Sequence, residues 1–536
     1  MARLSSSEPL VVQKYGGTSV GTAQRMLEVA TIVKASTEGH RIVVVLSAMS
    51  SYVKAAGTTS RLLEAAKEVL KHNAERYSEI VETIREDHLK AIREAIEEGT
   101  NQEGSILEEV ERDVNAECDR LKSFMSAADV INEISPRSRD VIISVGEKLS
   151  ARIFTAVLQS QGVKAAYINL ESIIQQTFDE RQIDQTFYDY LAHRMAETIR
   201  SQSDETTVPV VTGFFGPVPG SIISTIGRGY TDLSAALIAV GLGAHELQIW
   251  KEVDGIFTAD PRKAPSAYPL ESISPEEAAE LTYYGSEVIH PFTMEQVIRA
   301  TIPIRIKNTF KPDGPGTVIV PENWEPPQHS DAVEILTPKG SRLPRFSFGA
   351  HGLLKQNKNE EKKPTAVTIK DSVVVLNVHS NRKSVSHGFF AQIFSILDRH
   401  GIVVDLIATS EVHVSMALSP NVKEAKLEKA LLELKRCGTV DVIRNMAILS
   451  LVGKHMRNMV GIAGHMFATL AKHRVNIEMI SQGASEINIS CVIEMEKAAL
   501  ALKAVHDECI IEYREPPAVV VANGNGAAIV QPEAEA

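Results

Sequence analysis

Lys14 closes the apolar run of VVQKYGGTSV and is followed at once by two bare backbone positions, Gly16 and Gly17, and two hydroxyls, Thr18 and Ser19. A cation, exposed amides and hydroxyl donors within six residues suit either a tight turn, in which glycine serves the backbone alone, or a cradle for phosphate oxygens. Phosphoryl transfer is mainly positioning plus charge neutralisation, and one lysine beside glycine-exposed amides meets both demands. Further along, SVGEKLS carries Glu147 just after a glycine, where it reads equally as a helix-capping glutamate or as a functional carboxylate. STIGRGYTDLSAALIA sets Arg228 between two glycines and Asp232 at the mouth of a long apolar helix. An arginine held there can grip a carboxylate or a phosphate with two parallel hydrogen bonds. WKEVDGIFTADPRK offers Asp254, Asp260 and Arg262, although turn chemistry alone also accounts for VDG and ADP.

The familiar nucleotide signatures do not match. The chain has no GxxxxGK[ST] and no HRD with DFG. The nearest approach to GxGxxG is GLGAHE at Gly241, which follows the helical run DLSAALIAVG and so ends a helix rather than opening a dinucleotide site.

The elements that must position these groups follow from periodicity. From Leu10 to about Val320, the runs VVQKYGG, RIVVVLSAMS, VIISVGE, VPVVTGF, LQIWKEVDG and IPIRIKN read as strands alternating with helical stretches. That alternation predicts an α/β layer fold with a largely parallel sheet, whose strand carboxyl ends are where such sheets place ligands. Between Arg61 and Asp140 the texture becomes charged with spaced apolar positions, breaks at TNQEGS and resumes to about Met125, the pattern of a helical hairpin burying its own stripe. Lys339 to Thr365 reads as a loop or linker, and the final ANGNGAAIVQPEAEA as a disordered tail.

After the linker the sequence repeats itself. GFFAQIFSILDRHGIVVDLIATS and GIAGHMFATLAKHRVNIEMISQG align without gaps at an offset of 73 residues, Phe394 on Phe467, Leu397 on Leu470 and His400 on His473. Each copy runs strand, polar loop, amphipathic helix, strand and hairpin strand, a small α+β sandwich. Phe390, Ile393, Phe394 and Leu397 fall at helical spacing and are expected to form one stripe against the sheet.

Composition narrows the partners. At 536 residues and 44% hydrophobic content the chain needs several cores. A formal charge of -12 without a basic tract argues against nucleic acid or an anionic membrane as partner. No window is long and apolar enough to span a bilayer and the N-terminus lacks the apolar core of a secretory signal, so a cytoplasmic protein is expected. Cys118, Cys437, Cys491 and Cys509 show no metal or disulfide spacing and are expected to be reduced packing residues, with no protein-held metal site.

Taken in order, KYGGTSV, VVVLSAMS, SVGEKLS, TIGRGYTDLSAALIA, EVDGIFTADPR and YYGSEVIHPFTMEQV resemble the motifs of the aspartokinases, within the amino-acid-kinase superfamily. PIRIKNTFKPDGPGT closes the catalytic half as that family does, and the repeat matches its tandem ACT regulatory domains. The resemblance runs from Val11 to about Pro516, and GRGYTDL with WKEVDGIF is similar to the fungal members. It implies a carbamate-kinase-like three-layer sandwich with a mainly parallel central sheet over 8–325, carrying a helical insertion at about 61–135. A linker at 326–370, ferredoxin-like ACT domains at 371–442 and 443–516, and a disordered tail at 517–536 complete the implied organisation.

The implied reaction is ATP-dependent phosphorylation of the L-aspartate β-carboxylate to 4-phospho-L-aspartate, the first step towards threonine and methionine. Carried over position by position, Lys14 neutralises the transferring phosphoryl group while Gly16, Gly17 and Ser19 hold phosphate oxygens. Arg228 takes the substrate's α-carboxylate and Glu147 its α-ammonium, Asp232 orients Lys14, and Ser47 and Thr225 lie near the substrates. The loop from Lys251 to Arg262, through Asp254, Phe257 and Arg262, contacts the nucleotide, with Lys307 or Lys311 as a further ATP contact, and Mg2+ enters on the ATP. A carboxylate nucleophile is ionised at neutral pH and needs no general base, so His290 in VIHP is expected at a packing or turn position. Tyr230 and Thr231 stand where many bacterial relatives have a small pair, and Lys251 and Glu252 depart from the commoner WTDVDG.

The ACT pair implies feedback by a free amino acid, threonine first and lysine second, and a homo-oligomer joined through these domains. The matching effector positions are Ser386, Gly388, Phe389, Asp405, Ser410 and Glu411. Two rivals remain at this stage. One is an acid kinase of the same fold acting on glutamate, and the other is an amino-acid sensor with an inactive kinase half. With the chain ending just after the second repeat, a monofunctional protein is expected.

Overall fold

The computed structural model describes residues 8–50, 57–97, 104–179, 183–222, 226–227, 229–285, 289–320, 363–380, 388–410, 412–420, 422–483 and 487–513. The chain divides into two compact units. The first holds residues up to Ile256, then Pro269–Thr282 and Glu287–Gly352; the second holds Phe257–Tyr268, Tyr283–Ser286 and the chain from Leu353 onward.

The first unit is built on an eight-stranded sheet. Along the chain come β1 (Leu10–Tyr15), α1 (Ala23–Ser36), β2 (Arg41–Leu46), α2 (Thr58–Val69), α3 (Ala74–Glu97), α4 (Gly104–Ile131), α5 (Pro136–Ser160), β3 (Ala165–Ile168), α6 (Gln185–Gln202) and β4 (Val208–Thr212). They are followed by α7 (Tyr230–Leu242), β5 (Glu246–Lys251), β6 (Ser272–Ile273), α8 (Pro275–Tyr283), α9 (Pro291–Arg299), β7 (Ile304–Asn308) and β8 (Thr317–Ile319). The strand order is β3-β4-β2-β1-β5-β7-β8-β6, parallel throughout except between β7 and β8. LVVQKY and RIVVVL each bury five successive residues, as parallel strands covered on both faces must.

One predicted strand is wrong. VIISVGE lies inside the 25-residue helix α5, in which Ile142, Ile143, Val145 and Glu147 are all buried. A short apolar run inside a helix buried on most sides has no helical period to read. The start signal was nevertheless present: Ser135 caps the helix by accepting from the Ser138 amide at 3.1 Å, and Pro136 occupies the first position. The charged segment is helical as expected, but α4 runs on to Ile131. Val81, Ile84, Ile92, Val114, Leu121 and Met125 of α3 and α4 join α5 in one core with β1 and β2.

The second unit contains one six-stranded sheet shared by both repeats. Its elements are β9 (Ala366–Ser380), α10 (Phe389–Arg399), β10 (Val404–Thr409), β11 (His413–Leu418), α11 (Glu424–Leu434), β12 (Gly438–Val452), α12 (Ile462–Lys472), β13 (Met479–Ser481), β14 (Asn488–Glu494) and α13 (Ala498–His506). The order β10-β11-β9-β12-β14-β13 is antiparallel and reads the same from either edge. Gly438–Ile443 pairs with the end of β9, whereas Ile448–Val452 pairs with its start, so residues 366–370 lend a strand to the second repeat. The expected α10 stripe is shifted: Phe389, Ile393, Ile396 and Leu397 are buried, while Phe390 and Phe394 are 38% and 40% exposed. All four cysteines are free thiols. Among the described residues no helix is long and apolar enough to cross a membrane.

Candidate active site

The parallel register brings the carboxyl ends of β1, β2, β4, β5 and β7 to one edge of the sheet. Lys14 pairs in register with Val45 and Ile249, Leu46 with Thr212, and Lys251 with Asn308. β1, β2, β5 and β7 are each followed by polar groups, which the crevice outside strand ends collects, while β4 is followed by Gly213, where the backbone approaches closely.

Lys14 is 8% exposed, and its Nζ lies 2.7 Å from Asp232 Oδ1 in the first turn of α7. Burial works to raise the Asp232 carboxyl, but the charges of Lys14 and Lys251 outweigh it and hold the group below the usual carboxylate range. Glu147 is 1% exposed. It accepts from Thr231 Oγ1 at 2.8 Å, and the Tyr230 hydroxyl lies near enough to favour its charged form. Burial pushes its carboxyl up to about 7, against the lowering by those hydroxyls, by Lys14 and by the Phe214 backbone. Its second oxygen, Oε2, is buried with no hydrogen-bond partner among the described residues. Ser47 Oγ lies 3.4 Å from Thr231 Oγ1, so it belongs to the same cluster.

Close backbone approach makes this cluster possible. A Cβ on Gly213, the residue after β4, would stand 2.5 Å from Thr231 Cγ2 and 3.0 Å from Glu147 Oε2. At Gly17 a Cβ would meet the Ala48 carbonyl oxygen at 2.1 Å, and Ser50 N donates to Gly17 O at 3.0 Å. Gly16 differs, because a Cβ there would make only ordinary contacts of 3.9 Å with Lys14 Nζ and Thr18 Oγ1. Ser19 is buried and its Oγ has no partner among the described residues.

A cleft of about 520 Å³ opens beside this cluster, lined in part by Gly17, Ser47, Ser50, Thr58, Arg139 and Thr231. Thr58, at the start of α2, is a lining residue that sequence reasoning missed; its amide donates to Met49 O at 3.1 Å. Tyr230 and Thr231, departures from the bacterial pattern, both act on Glu147: Thr231 donates to it, and the Tyr230 hydroxyl favours its charged form. The signal available was their place directly between Arg228 and Asp232.

The other expected residues distribute as follows. Asp254 accepts from Asn308 Nδ2 at 2.6 Å and pairs with Lys311 Nζ at 3.0 Å, contacts that hold its carboxyl low. Lys311 is largely exposed, whereas Lys307 is turned over the Trp250 ring at 4.9 Å, and its burial lowers its ammonium to about 8. Phe257 and Arg262 fall in the second unit, where Arg262 is exposed and paired with Asp260 at 2.9 Å. Thr225, Arg228, Ser386 and Glu411 lie outside the described residues. His290 is a helix cap, its Nδ1 accepting from the Phe292 amide at 3.3 Å.

Of the effector positions, Gly388 and its repeat counterpart Gly461 both precede a helix at φ +81° and +87°. Phe389 is buried, Asp405 pairs with Lys370 at 2.8 Å, and the Ser410 amide donates to His413 O at 2.8 Å.

The profile of the amino acid kinase family matches residues 9–308, and that of the ACT domain matches residues 449–509. The aspartokinase of Schizosaccharomyces pombe is 49% identical over 504 residues, 94% of this chain and 93% of its own. Among solved structures, E. coli aspartokinase III in complex with aspartate and ADP, in the R-state, superposes with a TM-score of 0.66 at 28% identity over 93% of this chain and 99% of that one. The same enzyme with lysine and aspartate, in the T-state, gives 0.68 at 26% identity over 94% and 99%.

Proposed function

The chain belongs to the amino acid kinase family, among the aspartokinases, and from that premise we propose how its own residues carry the aspartate kinase reaction. The observation that carries the reading is the Lys14–Asp232 pair, 2.7 Å apart and largely shielded from solvent, beside a buried Glu147 whose Oε2 has no partner among the described residues.

An oxygen of the aspartate β-carboxylate forms a bond to the γ-phosphorus of ATP as the bond from that phosphorus to the β,γ-bridging oxygen breaks. The electron pair leaves with ADP, and no proton moves, because the attacking carboxylate is already ionised. Lys14 neutralises charge on the transferring group, and Asp232 fixes the direction of its ammonium. Gly16, Gly17 and Ser19 supply donors to phosphate oxygens. Glu147 Oε2 takes the substrate's α-ammonium and Arg228 its α-carboxylate, with Ser47 and Thr225 beside them. Asp254, Phe257, Arg262 and Lys311 serve the nucleotide, and Lys307, turned onto Trp250, does not. Mg2+ arrives as part of MgATP; among the described residues no group of three or more His, Cys, Asp or Glu side chains is arranged to hold a metal by itself.

The ACT unit takes an amino-acid effector, threonine first and lysine second, through Ser386, Gly388, Phe389, Asp405, Ser410 and Glu411. The lysine complex of the E. coli neighbour supports the amino-acid class. The enzyme works as a homo-oligomer at the head of threonine and methionine synthesis. ADP release from MgATP with L-aspartate, repeated with threonine and with lysine, tests the reading. Aspartate-dependent release that threonine suppresses is expected; no release from folded protein refutes the site, and suppression by lysine alone refutes the effector.

A further inference from the structure

Residues 258–266 pack against a buried histidine that no motif singled out. Ile256 ends the part of the loop held in the first unit, its amide donating to Thr317 Oγ1 at 2.8 Å. The next residues, Phe257–Tyr268, belong to the second unit and are packed there: the Val367 amide donates to Thr258 O at 2.8 Å, Lys263 pairs with Asp371 at 2.8 Å, and Ala259 and Ala264 join the core under β12 and β14.

At the centre of that packing is His506, the last residue of α13, with 0% exposure. Its Nε2 lies 2.8 Å from Thr258 Oγ1 and its Nδ1 lies 3.1 Å from Ser266 Oγ. A neutral ring protonated at Nδ1 satisfies the whole cluster. The Tyr268 amide donates to Thr258 Oγ1, and the Thr258 hydroxyl can donate onward to the unprotonated Nε2. The Nδ1–H donates to Ser266 Oγ, whose hydroxyl donates to Asp507 Oδ1. Burial lowers the imidazole below the ordinary histidine range, in keeping with this neutral, singly protonated ring.

The anchor is itself held. The residues after His506, Asp507–Ile511, form a π-helical turn, a local feature often found at functional sites. In that turn Asp507 pairs with Lys503 at 3.0 Å, and Glu508 takes Lys472 at 2.8 Å and His473 at 3.0 Å from the end of α12.

We propose that His506 is a positioning residue for the nucleotide: it ties both ends of residues 258–266 to the second ACT repeat and so fixes how Arg262, within that stretch, is presented. The inference rests on the reading of Lys251–Arg262 as the nucleotide loop. The test is steady-state kinetics of the full-length chain for H506A, H506Q, T258V and D254A, each with a thermal melt.

H506A and T258V raise KM for ATP about 5-fold or more while kcat and KM for aspartate stay within about 2-fold, and H506Q, which keeps one hydrogen-bonding arm, falls between. A folded H506A with unchanged KM for ATP overturns the positioning role alone if D254A raises that KM. If D254A is also silent, the nucleotide-loop reading fails and the inference with it. A parallel loss of kcat, both KM values and melting temperature in H506A and T258V alike assigns His506 to stability only and equally overturns it.

Discussion

At the scale of single residues, the site holds a carboxylate whose ionisation changes near neutral pH. The proposed ammonium role needs Glu147 ionised, yet burial raises it to about 7. Because the folded value lies above the unfolded one, the protonated form adds stability that is complete below the ordinary glutamate value of 4.5 and is lost as pH rises through about 7. The cost above that pH is about 3 kcal/mol. Glu147→Gln is therefore expected to raise the melting temperature at pH 8 without ligand and to abolish aspartate turnover. In the parent, kcat/KM for aspartate is expected to fall about tenfold per unit below pH 7, since protonation removes the ammonium's partner; a flat profile between pH 6 and 8 would refute the role. The neighbouring glycines separate fold from function in the same way. Gly17→Ala forces a Cβ onto the Ala48 carbonyl and is expected to destabilise by about 2–4 kcal/mol. Gly16→Ala meets no such obstacle, so it should melt within about 0.5 kcal/mol of the parent while raising KM for ATP. Equal melting temperatures for the two variants would contradict that division.

At the scale of elements, the segment between β4 and α7 is tethered from beneath by α5. Asp140 is fully buried and accepts from Ser221 Oγ at 2.7 Å and from the Ile222 amide at 2.8 Å. Ser221 stands at φ +128°, a backbone region that favours glycine, so these two bonds offset local strain. Asp140→Ala leaves the Ile222 amide without this acceptor and is expected to cost about 2–3 kcal/mol of stability. Ser221→Gly in the same background should recover part of it. Urea melts of the single and double variants measure both effects, and a double variant no more stable than Asp140→Ala would remove strain from the account. The elements also explain which parts of the site were legible. Lys14, Ser47 and Asp254 sit just where strand and turn patterns put them. Glu147 is legible from its neighbours in sequence, although the apolar run around it predicts a strand where a helix stands. Thr58 was invisible because a helix start gains its meaning only from what the chain packs beside it.

At the scale of the whole molecule, the antiparallel second sheet ends in β10 and β13, two edge strands that carry the exposed Ile407 and Ile480. Exposed apolar edges are natural pairing surfaces. Sedimentation equilibrium is expected to give a multiple of the 58.5 kDa chain mass, and a monomer at assay concentration would refute the oligomer. An effector that binds the folded chain must also stabilise it, by about 2.7 kcal/mol at 100 times its dissociation constant. Threonine should therefore raise the melting temperature in proportion to its inhibition; inhibition without such a shift would move the effector off this fold.

The sequence by itself determined the parallel α/β unit, the internal repeat and most of the polar groups at strand ends, because β-branched runs, glycine turns and a 73-residue offset are local signals. Tertiary structure alone decided that VIISVGE is a helix, that residues 366–370 serve the second repeat, and that residues 258–266 pack around His506. The physical reason is the same in each case. Which side chain is buried, and against what, depends on residues hundreds of positions away, and a buried proton or a shared strand leaves no periodic mark in the chain.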